Sequence, residues 1–478
     1  MIRRGFMSKF SEYLRYLIAR SGESVSSISR DIGAERTSIH KALSGERILP
    51  YKTVQNLAVH FGLSLDERQE FFRLYNSHFQ GEEVYANRQA VCQLLNDLSA
   101  LRFDPVKLSV VPELSFDEHL LHGEYRIRTV LKSVLTYELT HCEKPVFDLF
   151  LPAKLDFTAE LMELWLSVPP FQIRQLLSFR SEPSLAVENL QLLRSVIPLC
   201  LASRGAHQPY YFQEPSSSMS LFPMGYYVIT PHFLLQLSAD LSTAQLRQEP
   251  ELVSYFHDFF NSLLSNCQLL TQCNSNILNV LQEYISNTVS DSLKTMIFQP
   301  CLGRYYTQDI IHKYLKSNDI PYTQMFHLVD QHFSVLRNIT KDYCILFTEK
   351  GLTELAHTGS LIDMPPQYVP PLEIADRRAM LHKLRCEVEN NTVKALIARP
   401  AFLKLPDYLS IYITKENGLH FYTTNQFLFG AYCCNIHITE ESICRLFSDF
   451  FQALPGSPLV YSREDTLSIL DQILLELH

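Results

Sequence analysis

The sequence predicts an all-α head of five short helices, followed by a large α/β body made of two similar halves around a cleft. Three observations carry this. Residues 8–78 hold five apolar stripes at helical spacing with glycine or serine at the breaks, strand-like and helical runs alternate from about residue 124, and two short passages of the body recur in order about 190 residues later. At 478 residues and 46% hydrophobic content the chain exceeds what one domain needs. The expected division is a head at 1–78, a helical connector at 79–123, a first half with its linking helix at 124–320 and a second half at 321–478.

In the head, Phe10, Leu14, Leu17 and Ile18 define a first helix that stops at Ser21-Gly22, where glycine takes the left-handed conformation of a helix end. Ser24 is a good N-cap for a second, which closes at Gly33. A third runs from about Glu35 to Leu43 and ends at Ser44-Gly45. Only the turn around Gly33-Ala34 separates the second from the third, as a helix-turn-helix requires. Ile28, Ile32, Ile39 and Leu43 are expected inside, which leaves Arg36, Thr37, Ser38, His40 and Lys41 outside.

These residues, from Ser24 through the late helix ending LAVHFGLSLDE, resemble the lambda-repressor-like (XRE-type) helix-turn-helix family in the order of apolar positions and in both glycines. The resemblance implies binding to double-stranded DNA as a dimer, with the third helix in the major groove. Carried over by position, it implies that Arg36, Thr37, Ser38, His40 and Lys41 face bases. Ser24, Ser26, Arg30, Arg47, Tyr51 and Lys52 would then face phosphate. The sequence departs from the family at four places: Val25 stands where a phosphate-binding glutamine is usual, Ser29 replaces a small alanine, Glu35 replaces a capping serine, and Ile48-Leu49-Pro50 adds a residue before the fourth helix.

Charge points the same way. Residues 1–78 hold 12 Lys and Arg against 8 Asp and Glu, a net +4 on a chain of net −9, so the remainder carries −13. An acidic body repels DNA, and a basic head on it marks where a duplex binds. No run of eighteen apolar residues occurs and the N-terminus is too short and polar for a signal peptide, so the expectation is a soluble, cytoplasmic protein with no membrane association.

After the head, Val91, Leu94, Leu95 and Leu98 give the connector one apolar helical stripe, fit either to pair two subunits or to dock on its own body. Pro105 and Pro112 then mark a boundary. In the body, helices are expected at 124–140, 156–168, 184–203 and 250–266, with strands at 145–151 and two more across 226–237 joined at Pro231. Strand-like runs at 343–348, 409–414 and 419–433 continue the pattern and argue against a helical-repeat body. The internal echo pairs Thr230-Pro-His-Phe-Leu234 with Thr424-Asn-Gln-Phe-Leu428, and Phe256–Leu263 with Phe447–Leu454. It suggests halves at roughly 124–266 and 322–456, joined by a helical segment.

Residues 226–241 also faintly resemble the paired strands of the phospholipase D-like fold, with Ser238-Ala239-Asp240-Leu241 at a turn where that family has asparagine. The family's HxKxxxxD triplet is absent: His141, Lys144 and Asp148 are spaced HxxKxxxD, and His232 has Leu234 where lysine is needed. The resemblance therefore implies a shape without its phosphotransfer chemistry.

Other constellations are missing. There is no GxGxxG, GxxxxGK[ST], GxSxG or HExxH, and the 17 histidines do not cluster, so no catalytic residues, cofactor or metal site are expected. The 11 cysteines form no CxxC pair or Cys/His cluster of metal spacing, and Cys92, Cys142, Cys200, Cys267 and Cys344 read as small hydrophobes. Aromatic runs such as Tyr305-Tyr306 and Phe450-Phe451 belong to the core or line a pocket. The reading that follows is a transcription regulator whose body senses a ligand, peptide or partner protein and mediates dimerisation. A protein-interaction or antitoxin module, and an enzyme with an accessory DNA-binding head, are the alternatives.

Overall fold

The computed structural model describes residues 8–103, 119–152, 157–167, 171–180, 186–203, 205–214, 223–274, 276–288, 292–317, 320–339, 342–362, 364, 367–414, 418–423 and 433–477. The chain forms two compact units, 1–90 and 91–478. Among the described residues, no helix is long and apolar enough to cross a membrane.

The first unit holds α1 (Lys9–Ser21), α2 (Val25–Asp31), α3 (Arg36–Leu43), α4 (Tyr51–His60), α5 (Leu65–Gln80) and the start of α6 (Glu82–Ala100). Ser8, Ser24 and Ser64 cap α1, α2 and α5 by accepting from amides three residues on, and Gly22 ends α1 at φ 70°. Glu35, at the N-cap of α3, makes no capping bond, so the departure noted there leaves that terminus unsatisfied by its own side chain. Phe10, Leu14, Leu17, Ile28, Leu57 and Phe71 fill the core, and Ile32 and Leu43 pack on it partly buried.

α6 crosses into the second unit, where its C-terminal half docks on the body. Val91, Leu94, Leu95 and Leu98 are all at most 2% exposed. Asn96 accepts from the Lys404 amide at 2.8 Å, and the Tyr408 hydroxyl donates to the Leu98 carbonyl at 2.5 Å. Of the two roles open to this stripe, its side chains are occupied within one chain. Pro105 and Pro112 lie outside the described residues.

The body is built on two mixed sheets. In chain order the first repeat runs β1 (Leu120–His122), α7 (Glu124–His141), β2 (Val146–Phe150), α8 (Thr158–Ser167), β3 (Gln172–Arg180), α9 (Ala186–Ala202), β4 (His207–Glu214), β5 (Tyr226–Ile229), β6 (Leu234–Leu237), β7 (Thr243–Arg247) and α10 (Pro250–Leu264). After β8 (Gln268–Leu269), the second runs β9 (Thr271–Asn274), α11 (Ile277–Thr288), β10 (Leu293–Met296), α12 (Gln308–Tyr314), α13 (Tyr322–Asn338), β11 (Tyr343–Thr348), α14 (Glu349–Thr358), α15 (Ile374–Glu389), β12 (Lys394–Ala398), β13 (Leu409–Thr414), β14 (Gly418–Thr423), β15 (Cys433–Ile438) and α16 (Glu441–Ala453). α17 (Arg463–Glu476) closes the chain against α15 through Arg385 and Asp471, 2.7 Å apart.

The sheets share one plan. The first is ordered β1-β7-β6-β5-β2-β3-β4-β8 and the second β9-β15-β14-β13-β10-β11-β12. In each, three parallel strands meet a run of four antiparallel ones. Seven strands matching in order and direction make the two sheets topological repeats of one another. At Leu270 the chain passes from an edge of one sheet to an edge of the other: its amide donates to the Pro209 carbonyl and its carbonyl accepts from the His437 amide, at 2.8 and 3.0 Å.

This plan relocates the division expected at 320/321. The segment read as a linking helix comprises α11 and β10, and β10 lies at the centre of the second sheet, so the second repeat begins at β9. The helical echo is real in the topology, since α10 and α16 begin 191 residues apart at equivalent places. The second copy of the strand echo, residues 424–428, lies outside the described residues. Of the run expected at 419–433, the described residues are 419–423 in β14 and Cys433 at the start of β15.

Candidate functional site

In the head, α3 places Arg36, Thr37, His40 and Lys41 on one exposed side, while Ile39 and Ala42 are buried on the other. At 100° per residue the four exposed positions span an arc of about 140°. Arg36 Nε donates to His40 Nε2 at 3.4 Å, one turn away. Ser38 differs from the expectation. It is only 9% exposed, contacts Glu35 at 3.4 Å and accepts from Arg47 at 3.3 Å, so its hydroxyl is turned into the head rather than outward. Of the expected phosphate-facing residues, Ser24, Arg30, Arg47, Tyr51 and Lys52 are exposed and Ser26 is half-buried. The Ser24 hydroxyl accepts from the Ser27 amide, and the Tyr51 ring lies against Phe72 and Tyr75.

The body brings together polar residues that the sequence keeps far apart. Asp148 on β2 is fully buried; Arg174 on β3 grips it through Nε and Nη2 at 2.6 and 2.7 Å, and His257 Nδ1 on α10 meets Oδ2, the oxygen that Nη2 bonds, at 2.8 Å. A buried carboxylate held this way is an internal anchor, joining α10 to two parallel strands. His257 Nε2 also meets the Thr230 carbonyl at 3.3 Å.

Thr230 carries the network onward, its hydroxyl donating to Glu138 Oε1 at 2.6 Å. Glu138, fully buried on the last turn of α7, also accepts from the His232 amide at 2.8 Å, from His232 Nδ1 at 3.0 Å and from the Cys142 thiol at 3.1 Å. Burial pushes its carboxyl up, and the bonds from Thr230, His232 and Cys142 outweigh burial and hold it below the ordinary range. Burial and then the Glu138 carboxylate push the Cys142 thiol up to about 11. Cys142 is therefore more than the small hydrophobe its neighbours in sequence suggested.

The residues weighed for phosphotransfer stay apart in role. His141 ends α7 with its ring stacked on Tyr137, Asp148 serves the internal anchor, and His232 serves Glu138. Asp240 organises the turn before β7 by accepting from Ser238 and from Ser242, which lowers it to about 2.

The two repeats pack at their junction through α16 and α9. Asn189 on α9 brackets the end of β3, bonding both backbone groups of Arg180 at 2.8 Å, and donates to Ser442 Oγ at 3.2 Å. The cleft expected between the halves is filled there by this contact. A crevice of about 580 Å³ opens instead at the carboxyl ends of β10, β11 and β12, where Phe298, Thr348 and Ala398 face the end of α6. That is the region beyond the carboxyl ends of parallel strands, a common place for ligands in open α/β sheets. Its charges are mixed, with Arg102, Lys350 and Lys404 beside Glu349 and Asp407. A second, apolar cavity of about 50 Å³ lies among α11, α12 and α13, with Tyr306 and Tyr314 in its wall.

A five-helix head with an exposed polar and basic third helix, on an α/β body of two repeats, is the class of chain these features define. No protein-family model and no curated protein matches it. Among solved structures, TrmBL2, an archaeal chromatin protein described as showing a novel mode of DNA binding, is 11% identical at a TM-score of 0.24, with 55% of this chain and 100% of that one covered. Polyphosphate kinase from Porphyromonas gingivalis is 9% identical at 0.21, covering 75% and 55%. Phosphatidylserine synthase from Haemophilus influenzae Rd KW20 is 11% identical at 0.24, covering 82% and 97%. At these TM-scores the similarity carries no argument about function.

Proposed function

We propose that this protein is a sequence-specific DNA-binding regulator of the helix-turn-helix kind, in which α3 enters the major groove and the α/β body responds to an effector. One observation carries the reading: Arg36, Thr37, His40 and Lys41 share the exposed side of α3 while Ile39 and Ala42 anchor its other side in the head. Arginine and threonine so displayed suit base edges, and the exposed cations Arg30, Arg47 and Lys52 suit phosphates. Ser38, buried, is left out of the base-reading set. A homodimer fits this reading because two half-sites on a duplex need two heads, and a small rotation between subunits then changes affinity. Catalysis is no part of the proposal: the buried carboxylates Asp148 and Glu138 are bonded on several sides and serve the fold.

The test is fluorescence anisotropy with duplex from upstream of the gene and with scrambled duplex, at two salt concentrations. Neutralising roughly six to ten phosphates loses about 10³ to 10⁵ in affinity between 50 and 200 mM salt on both. A preference for the native fragment that survives at the higher salt supports a sequence-specific regulator. Absence of binding to any duplex, including a randomised pool, refutes it.

A further inference from the structure

We propose that Glu138, Cys142 and His232 form a binding site for a divalent transition-metal ion, with zinc the ion their ligand chemistry matches. Glu138 and Cys142 are four residues apart at the end of α7, and the turn between β5 and β6 brings His232 to them from 90 residues away. The donor atoms converge on one point: Glu138 Oε2 is 3.0 Å from His232 Nδ1 and 3.1 Å from Cys142 Sγ, and Sγ is 3.8 Å from Nδ1. Around a tetrahedral zinc with bonds of about 2.0 Å to nitrogen and oxygen and about 2.3 Å to sulfur, such donors stand ~3.3–3.6 Å apart. Movements of a few tenths of an ångström seat the ion.

A second observation points the same way. The carboxylate oxygen of Glu138 facing away from the cluster is fixed by Thr230 Oγ1 at 2.6 Å and by the His232 amide at 2.8 Å. Outer bonds of this kind orient metal ligands. The His232 side chain is 62% exposed, so solvent gives access to the site and supplies the fourth ligand. One thiolate, one imidazole and one carboxylate suit zinc or cobalt and do not suit calcium or magnesium, which prefer all-oxygen shells. On binding, the thiol proton of Cys142 leaves to solvent. If Nδ1 of His232 carries its proton, that proton also leaves and the exposed Nε2 takes one up, so Nδ1 is free to ligate. The ion then ties the end of α7 to the β5–β6 turn.

The full-length protein, stripped with a chelator and dialysed, is titrated with cobalt(II) and then displaced by zinc against a chromogenic chelator. The expected result is one equivalent of cobalt giving a sulfur-to-cobalt charge-transfer band and tetrahedral d–d bands. Cys142→Ser abolishes the charge-transfer band, and His232→Ala, at an exposed position, keeps the fold and weakens zinc by a hundredfold or more. Thr230→Ala keeps the band but weakens zinc by roughly 10- to 100-fold. A charge-transfer band that persists in Cys142→Ser, no band at one equivalent, or equal zinc affinity in His232→Ala and the parent overturns the proposal. If Cys142→Ser does not fold, the His232→Ala comparison alone decides.

Discussion

The Ser11 hydroxyl on α1 donates to the carbonyl of Ala42 on α3 at 2.7 Å, with both residues buried. Arg15, one turn on, reaches the next carbonyl, Leu43, at 2.9 Å. These carbonyls lie in the last turn of α3, where helix acceptors lack intrahelical partners. α1 thus holds the end of the helix that displays Arg36 and His40. Ser11→Ala is expected to cost about 1 kcal/mol, no more, because the Ala42 carbonyl keeps the Gly45 amide at 3.2 Å. An unchanged urea midpoint would show that the bond contributes nothing.

Arg36→Ala and His40→Ala remove exposed side chains, so stability should change by less than about 0.5 kcal/mol. Loss of a base contact should lower discrimination between operator and random duplex by about 1–3 kcal/mol. Lys52→Ala should instead weaken binding to every duplex alike and reduce the salt slope by about 1. Competition anisotropy separates the two patterns, and full discrimination by Arg36→Ala would sink the assignment of α3.

Arg174→Met leaves the buried Asp148 with His257 alone. Breaking one side of a buried pair costs about 3–5 kcal/mol, because the remaining charge is uncompensated. The double variant Arg174→Met, Asp148→Asn should recover part of that loss in chemical denaturation. A single variant as stable as the parent would mean that the pair is not an anchor.

Acid should destabilise the body before it touches the carboxylates. Burial pushes His207 from 6.5 down to about 3 and His332 down to about 4. The unfolded chain takes up these protons below about pH 6.5 while the folded chain stays neutral, so stability is complete above that pH and falls as pH drops toward 4. Each histidine then removes roughly 1.4 kcal/mol per pH unit. His207→Gln should flatten the stability profile between pH 6.5 and 4, even though it also alters the contact with Gln175 at 2.9 Å. A slope equal to the parent's would contradict a buried neutral His207.

Gly351, in the first turn of α14, sits where a Cβ would lie 2.0 Å from the Phe298 carbonyl oxygen. That oxygen belongs to the backbone just past β10 and cannot swing aside. Gly351→Ala should therefore push α14 off the sheet at the rim of the crevice, costing about 1–3 kcal/mol or more. Thermal unfolding of the variant checks this.

Local signals were legible where the physics is local. Ser24 caps, Gly22 turns and Ile28 and Ile39 are buried because period and cap chemistry act within a few residues. Ser38 broke that reading: on α3 it lies outside the exposed arc, about 40° around the helix from the buried Ala42, and Arg47 donates to its hydroxyl. The strands β3 and β4 gave no clear hydrophobic alternation, because polar residues take buried positions in them, Gln175 in β3 and His207 in β4.

By itself the sequence determined the five helices of the head, the basic charge on them and the alternation of helix and strand in the body, all set by residues close in the chain. Only the tertiary structure decided that the second repeat begins at β9, that Asp148 meets Arg174 and His257, and that Glu138 and Cys142 meet His232. Those contacts depend on strand order and on loop closures of tens of residues, and no local spacing encodes which distant strand a strand will choose.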